Sequence, residues 1–384
     1  MYPTFSDLLR DLFGINIQLP VQTFGLMLAI SFLLAAWTLT IELKRKEQQG
    51  FFSPVSVKHL VGEKASAAEL LSSFLIGFII GYKLLFIAAN YNYFVTDTQG
   101  VLLSLKGSLP GGLIAGALIA FFKYREKEKS RLETPEWKTE KIPVHQLVGN
   151  ITMVAAVAGL IGAKIFHNLE NLDDFEKDPM DALLSFSGLT MYGGLIVGGI
   201  ALLIYTRKQG MSSLHFMDAV APGLMLAYGS GRIGCQLAGD GDWGIPNLAP
   251  KPDWMHFIPD WMWSFRFPHN VINAGIPIPG CEGHHCMMLQ EPVFPTPFYE
   301  SVICISLFFV LWGMRKRITV PGMLFFVYLI MNGVERFFIE KIRVNNQYHI
   351  FGHGITQAEI ISFLLIITGV TGAIILYRKH AGRS

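Results

Sequence analysis

Apolar runs long enough to cross a bilayer recur along the whole chain, near 21–40, 68–90, 108–123, 146–167, 188–205, 215–239, 297–314, 319–340 and 356–377. A hydrocarbon layer about 30 Å thick takes roughly 20 residues of helix to span. Inside it no water can satisfy a backbone N–H or C=O, so continuous runs of this length must bond within themselves as helices. The sequence predicts an all-α polytopic membrane protein with about nine transmembrane helices. Composition agrees, since 51% of the 384 residues are hydrophobic and 16% charged, more apolar than a soluble core of that size needs.

The placement of Lys and Arg sets the orientation. Loop 41–64 carries Lys44, Arg45, Lys46, Lys58 and Lys64, and 123–141 carries seven Lys or Arg, so both are expected in the cytoplasm. Alternate loops are poor in basic residues: 91–107 has only Lys106, and 168–184 sets six acids against one lysine. Arg207 and Lys208, the "RKR" at 315–317, and Arg378 with Lys379 return to the basic side. The N-terminus is therefore expected outside and the C-terminus inside. Residues 1–20 have neither a basic front nor a small-residue cleavage site and are read as unprocessed. The net charge of +2 says little about partners, and no basic tract interleaved with aromatics suggests a nucleic-acid partner.

Residues 1–384 read as a single membrane domain with one duplicated helix pair. "FIIGYKLLFIAANYNYF" aligns with "GLIGAKIFHNLENLDDF" so that Gly81 and Lys83 answer to Gly162 and Lys164, and Gly111-Gly112 to Gly193-Gly194. The tandem units span 68–127 and 146–209, and because each holds two helices, the copies share one orientation. Residues 240–296 form the long polar excursion, an extracytoplasmic loop region opened by Trp243, Trp254, Trp261 and Trp263. Such aromatics pack a covering loop or grip a substrate at headgroup level. Within this region Cys281 and Cys286 would form a small disulfide loop in an oxidising compartment, or with His284 and His285 hold zinc.

The chemistry-bearing residues interrupt the apolar runs. In "GSGRIGCQLAGDGDWG" (229–244) a continued helix gives two rows of small residues, Ser230-Gly234-Ala238 and Gly231-Cys235-Gly239, beside a polar stripe of Arg232, Gln236 and Asp240. A membrane arginine costs about 2.5–3.5 kcal/mol on insertion scales and needs a counter-charge or an anionic ligand. Pairing with Asp240 or snorkelling would satisfy it structurally. A second stripe in "YLIMNGVERFFIEKIRVNNQ" puts Tyr328, Asn332, Arg336, Glu340 and Arg343 on one face, with Glu335 rotated about 100° away. "PTPFYES" adds Tyr299 and Glu300 where the next span begins, a position equally suited to an interfacial tyrosine and a cap-region acid. "TMYGGLIVGG" (190–199) offers Tyr192, Gly193 and Gly194 at the same depth, although such glycines more often serve helix packing. Arg232, Arg336 and Arg343 are expected to outnumber the nearby carboxylates slightly, and a phosphate-bearing lipid would balance them. "DGDWG" lacks the further ligands of a calcium loop, and no metal or other cofactor is expected.

These motifs together resemble the phosphatidylglycerol-prolipoprotein diacylglyceryl transferases, inner-membrane enzymes of bacterial lipoprotein maturation. The likeness runs through "QTFGLM", "MYGGLIVGG", the 229–244 signature, "PTPFYE" and "RFFIEKIRVNNQ", in the family's order. It implies transfer of the diacylglyceryl group of phosphatidylglycerol to the lipobox cysteine thiol of a preprolipoprotein, with release of glycerol phosphate. By match, Arg232 would bind the phospholipid and Arg336 would act in catalysis, with Glu340 and Arg343 beside it. Tyr192 is placed with the catalytic residues, and Asp240, Gly193, Gly194, Tyr299 and Glu300 with the substrate-binding ones. Family members usually have seven spans, so the additional two are read as the duplication. The partners implied are phosphatidylglycerol, the signal peptide bearing the lipobox, and membrane lipid.

Three positions depart from the family pattern. Tyr192 stands where histidine is common, Cys235 where asparagine is common, and an extra residue separates Asp240 from Asp242 before Trp243. A phenol is a poor base at neutral pH, so the base is left open between Glu340, Asp240 and unaided ionisation of the substrate thiol. Two other functions fit the same residues: a transporter or flippase for an anionic lipid or solute, and a non-catalytic receptor-like relative.

Overall fold

The computed structural model describes residues 1–172, 175, 179–184, 190–345, 347–350 and 353–382. Ten helices organise them: α1 Phe5–Phe13, α2 Thr23–Gln48, α3 Ala67–Ala89, α4 Leu109–Lys129, α5 Val148–Glu170, α6 Met191–Lys208, α7 Ser213–Ala238, α8 Thr296–Met314, α9 Met323–Glu340 and α10 Gln357–Ala381. Among the described residues, five stretches are long and apolar enough to cross a membrane: α2, α3, α8, α10 and Val144–Glu170, which contains α5. The chain is a polytopic helical membrane protein. Local sequence explains several helix starts, since Thr4 with Asp7, Ser66 with Glu69 and Thr356 with Glu359 form reciprocal caps.

The two segments aligned as repeats each fold as a helix pair closed on glycine. In α3 and α4 a Cβ on Gly81 would fall 2.4 Å from the Gly111 carbonyl oxygen; in α5 and α6 one on Gly162 would fall 2.5 Å from that of Gly193. Only hydrogen fits at that separation. Changing Gly193→Ala puts a methyl 2.4 Å from Phe166 Cβ and 2.5 Å from the Gly162 oxygen, so the backbones must part. The expected loss is about 1–3 kcal/mol, read as a lower thermal midpoint in detergent. An unchanged midpoint would show that something else closes the pair.

α7 is the central helix. Its Gly223 and Gly234 lie against α2, its Gly229 against α8, and Met225 and Leu226 join Cys304, Phe308, Leu311 and Leu324 in a buried cluster. The end of this bundle away from the 240–295 region is pinned by charge. Glu42 of α2, fully buried, pairs with Arg45 and with Arg315 Nε at 3.1 Å, and Asp218 of α7 accepts from Gly322 N (2.7 Å) and Phe325 N (3.1 Å). The other end is thereby set by rigid helices.

Small sheets supplement the helices. β1 (Val55–Val61) and β2 (Glu136–Ile142) pair antiparallel, from Val55 with Ile142 to Val61 with Glu136. The two basic loops flanking the α3–α4 pair are thus joined, where the sequence suggested separate loops. Backbone pairing across so many intervening residues leaves no local signal. β3 (Ile276–Pro277) pairs with β4 (Met287–Met288), and β5 (Gln347–Ile350) with β6 (His353–Thr356).

The 240–295 region is a packed head. Asn270, fully buried, bonds through its amide to Phe267 O, Ala274 O and Ala274 N, holding a turn in which Phe267, His269 and Asn273 have positive φ. Trp243 packs on Phe267, with ring centroids 5.1 Å apart, and Trp263 Nε1 donates to Ala249 O, while Trp254 is exposed. Cys281 and Cys286 are joined as a disulfide. Part of the acidic loop 168–184 and residues 185–189 of the second repeat lie outside the described residues.

Candidate functional site

Two helix endings determine which charges meet. α7 stops at Ala238 because Gly239 takes the left-handed conformation (φ 65°). Asp240 therefore leaves the helical stripe predicted for it, and the chain turns so that Asp242 faces back to Arg232. Thr296 Oγ1 donates to the Asp242 carbonyl at 2.7 Å and fixes the turn against α8. In the same way α9 ends at Glu340, so Arg343 is not on its face. Its backbone bridges Gly244, with Ile245 N donating to Ile342 O at 2.9 Å, and this tie delivers the guanidinium from outside the helix.

Glu300, in the first turn of α8 and fully buried, is the hub. One oxygen accepts from Arg232 Nε at 2.6 Å; the other accepts from Arg336 Nη1 at 2.8 Å and Arg343 Nη1 at 3.3 Å. The Tyr228 hydroxyl approaches at 3.4 Å, and its ring lies under the Arg232 guanidinium, 5.4 Å from centroid to Cζ. Asp242 forms a second bridge, bonded to Arg232 Nη1 and to Arg343 Nη2 at 2.5 Å. Arg336 Nη2 meets Glu340 one turn on at 3.1 Å, and Glu340 also accepts from Asn345 at 2.6 Å.

Three arginines from three segments thus converge, as expected, but they do not outnumber their carboxylates. Asp242, Glu300 and Glu340 pair with them one for one. The difference is Asp242, which the continued helix had turned elsewhere. Asp240 accepts from Asp242 N at 3.3 Å. Burial and the neighbouring Asp242 charge push its carboxyl up, whereas at Asp242 burial is outweighed by Arg232 and Arg343, which hold that carboxyl below the ordinary range.

Other predicted site residues lie apart from this cluster. The Tyr299 hydroxyl donates to Met262 O at 2.7 Å and ties α8 to the head. Gly193 and Gly194 pack on α5, against Gly162, Phe166 and the Gly159 carbonyl. Among the described residues the Tyr192 hydroxyl makes no hydrogen bond. Cys235 Sγ and the carboxylates of Asp240 and Asp242 lie within 4.8 Å of one another, a spacing a cation could use. Arg232 Nη1 already reaches Asp242 and, at 3.6 Å, the sulfur, so positive charge is supplied there. Sequence reasoning passed over two groups: Asp242, which Gly239 as a helix stop could have revealed, and Glu335, buried in α9 with both oxygens unbonded.

Residues 131–375 match the family described as prolipoprotein diacylglyceryl transferase. The chain belongs to that family. Named phosphatidylglycerol–prolipoprotein diacylglyceryl transferases are similar to it over about two thirds of its length. The Corynebacterium efficiens protein is 27% identical over 263 residues, covering 66% of this chain and 74% of its own. The Clostridioides difficile protein is 28% identical over 271 residues, covering 70% and 88%, and that of Streptococcus uberis 27% identical over 254, covering 65% and 86%. Every arginine and carboxylate of the cluster falls inside the family match, while α3 and α4 fall outside it.

Proposed function

We propose that this chain transfers the diacylglyceryl group of phosphatidylglycerol to the lipobox cysteine thiol of a preprolipoprotein and releases glycerol phosphate. Family membership supports the reaction class. The observation that carries the site is the convergence of Arg232, Arg336 and Arg343 on Glu300 and Asp242. Glu300 has no exposure and serves as the fixed anchor, whereas the Asp242 side chain is 33% exposed and bridges two guanidiniums from the head side. A phosphodiester presents the same pair of oxygens and would replace Asp242 between Arg232 and Arg343. As the carbon–oxygen bond to phosphate breaks, negative charge grows on the leaving group, and guanidiniums already in place stabilise it.

In this reading Arg336 and Glu340 act at the reacting centre, and Arg232, Arg343, Asp240 and Glu300 hold the headgroup. Tyr299 acts through the head that it anchors, and Gly193 and Gly194 act through the packing of α6 on α5. The long helices cross the bacterial cytoplasmic membrane nine times as one domain, with the N-terminus and residues 240–296 outside and the C-terminus in the cytoplasm. The α3–α4 pair is a duplicate of α5–α6. Basic-loop parity and the shared glycine contacts support this arrangement.

The deciding experiment supplies the purified protein with phosphatidylglycerol and a lipobox peptide. Glycerol phosphate and a peptide heavier by one diacylglyceryl group are expected. Lipid movement across a vesicle bilayer with no product would replace the transferase with a flippase. Tyr192→Phe is expected to retain most activity, because its hydroxyl has no described partner in the cluster. A loss beyond about 100-fold in kcat, the scale of general acid–base catalysis, would return it to the chemistry.

A further inference from the structure

The cluster leaves one acid unused. Glu335 precedes Arg336 in α9, is 5% exposed, and neither carboxylate oxygen has a hydrogen-bond partner among the described residues. Glu335 lies within electrostatic reach of Glu300, Arg336, Arg232 and Arg343, and of the Cys304 thiol of α8 and the Tyr228 hydroxyl of α7. Next to Arg336 in the same helix, it therefore lies close to the arginine cluster.

Each other acid there holds at least one partner, and of these Glu340 Oε2 has only its ion pair with Arg336 and no hydrogen bond. Glu300 serves three guanidiniums, Asp242 two, Glu340 takes Arg336 and Asn345, and Asp240 takes the Asp242 N–H. A carboxylate whose lone pairs are already committed to guanidiniums has little left with which to accept a proton. An unbonded buried carboxyl is costly to keep, and such groups concentrate where chemistry needs them. The thiol must lose its proton in the transferase reading, and tyrosine stands at position 192, where that reading would look for a base.

We propose that Glu335 is the proton acceptor of the transfer reaction, an inference that rests on the transferase function proposed above. The lipobox sulfur bonds to the terminal glycerol carbon of the diacylglyceryl group. The bond from that carbon to the phosphate ester oxygen breaks, and its electron pair leaves with glycerol phosphate. The thiol proton passes to a Glu335 oxygen and returns to water when product departs. Arg232, Arg336 and Arg343 hold the phosphate on the adjoining side, so the attacking thiol and the leaving group meet different walls of one site.

The test compares the unaltered protein with Glu335→Gln and Glu335→Asp in phosphatidylglycerol vesicles, using cysteine and selenocysteine forms of one lipobox peptide. The selenol is already ionised at neutral pH and needs no base. With the cysteine peptide, Glu335→Gln should lose at least about 100-fold in kcat with KM for phosphatidylglycerol unchanged, recover as pH rises, and retain most of its rate with selenocysteine. Glu335→Asp should fall between the two. Equal losses with both peptides would mark a structural role and overturn the proposal, as would an active Glu335→Gln. Should Glu335→Gln not fold, the Glu335→Asp pair of rates decides by the same criterion. An unaltered protein that makes no product from either peptide would instead overturn the transferase reading, and this inference with it.

Discussion

Glu300→Ala is expected to do more damage than any other single change. The carboxylate is fully buried and accepts from Arg232, Arg336 and Arg343, so its loss leaves three guanidiniums facing one another. Removing one partner of a buried ion pair typically costs about 3–5 kcal/mol, because the abandoned charge stays desolvated. Asp242 would still pair with Arg232 and Arg343, and Glu340 with Arg336, but α8 would lose its charged tie to α7 and α9. The thermal midpoint in detergent should fall sharply and transfer should cease. Glu300→Gln keeps the shape and removes the charge, so it should retain more stability than the alanine variant while still losing activity. A Glu300→Ala protein with the original midpoint would show that the arginines are held by something other than this hub.

Arg336→Ala and Arg232→Ala should each abolish measurable transfer while leaving insertion intact, since Glu300 keeps two of its three arginines in either case. Loss of one preplaced donor to a developing negative charge costs about 10²–10³ in kcat. For Arg336→Ala the loss should appear in kcat. For Arg232→Ala, which also removes a bridge to Asp242, KM for phosphatidylglycerol should rise as well. Lysine at either position should rescue poorly, because a point charge cannot reproduce the guanidinium fork that spans two carboxylates. Full activity in both alanine variants would remove the arginine site altogether.

Several of these contacts were legible before the fold. Arg232 and Arg336 sit in apolar runs, where a charge must find a partner, and the one-turn Arg336–Glu340 pair follows from helical spacing alone. The glycines at 81, 111, 162 and 193 marked two helix pairs of close approach, and both have that contact. The helical stripes were carried too far, however. Gly239 ends α7 two residues before Asp240 could complete its row, and α9 ends before Arg343. Glu335, set aside as lying off the stripe, is buried in α9 within reach of the same arginine cluster, with neither oxygen bonded.

The amino-acid sequence by itself determined a polytopic helical membrane protein, the tight glycine-lined pairs and the need of an embedded arginine for a counter-charge. These depend on hydrophobicity, backbone bonding and spacing within one segment, all local quantities. The tertiary structure decided the matching. Glu300 serves three arginines, Asp242 rather than Asp240 bridges two of them, and Glu335 is left unbonded because separate helices end where they do and pack around α7. Periodicity fixes which side chains share a face; which faces meet is a property of the assembled bundle.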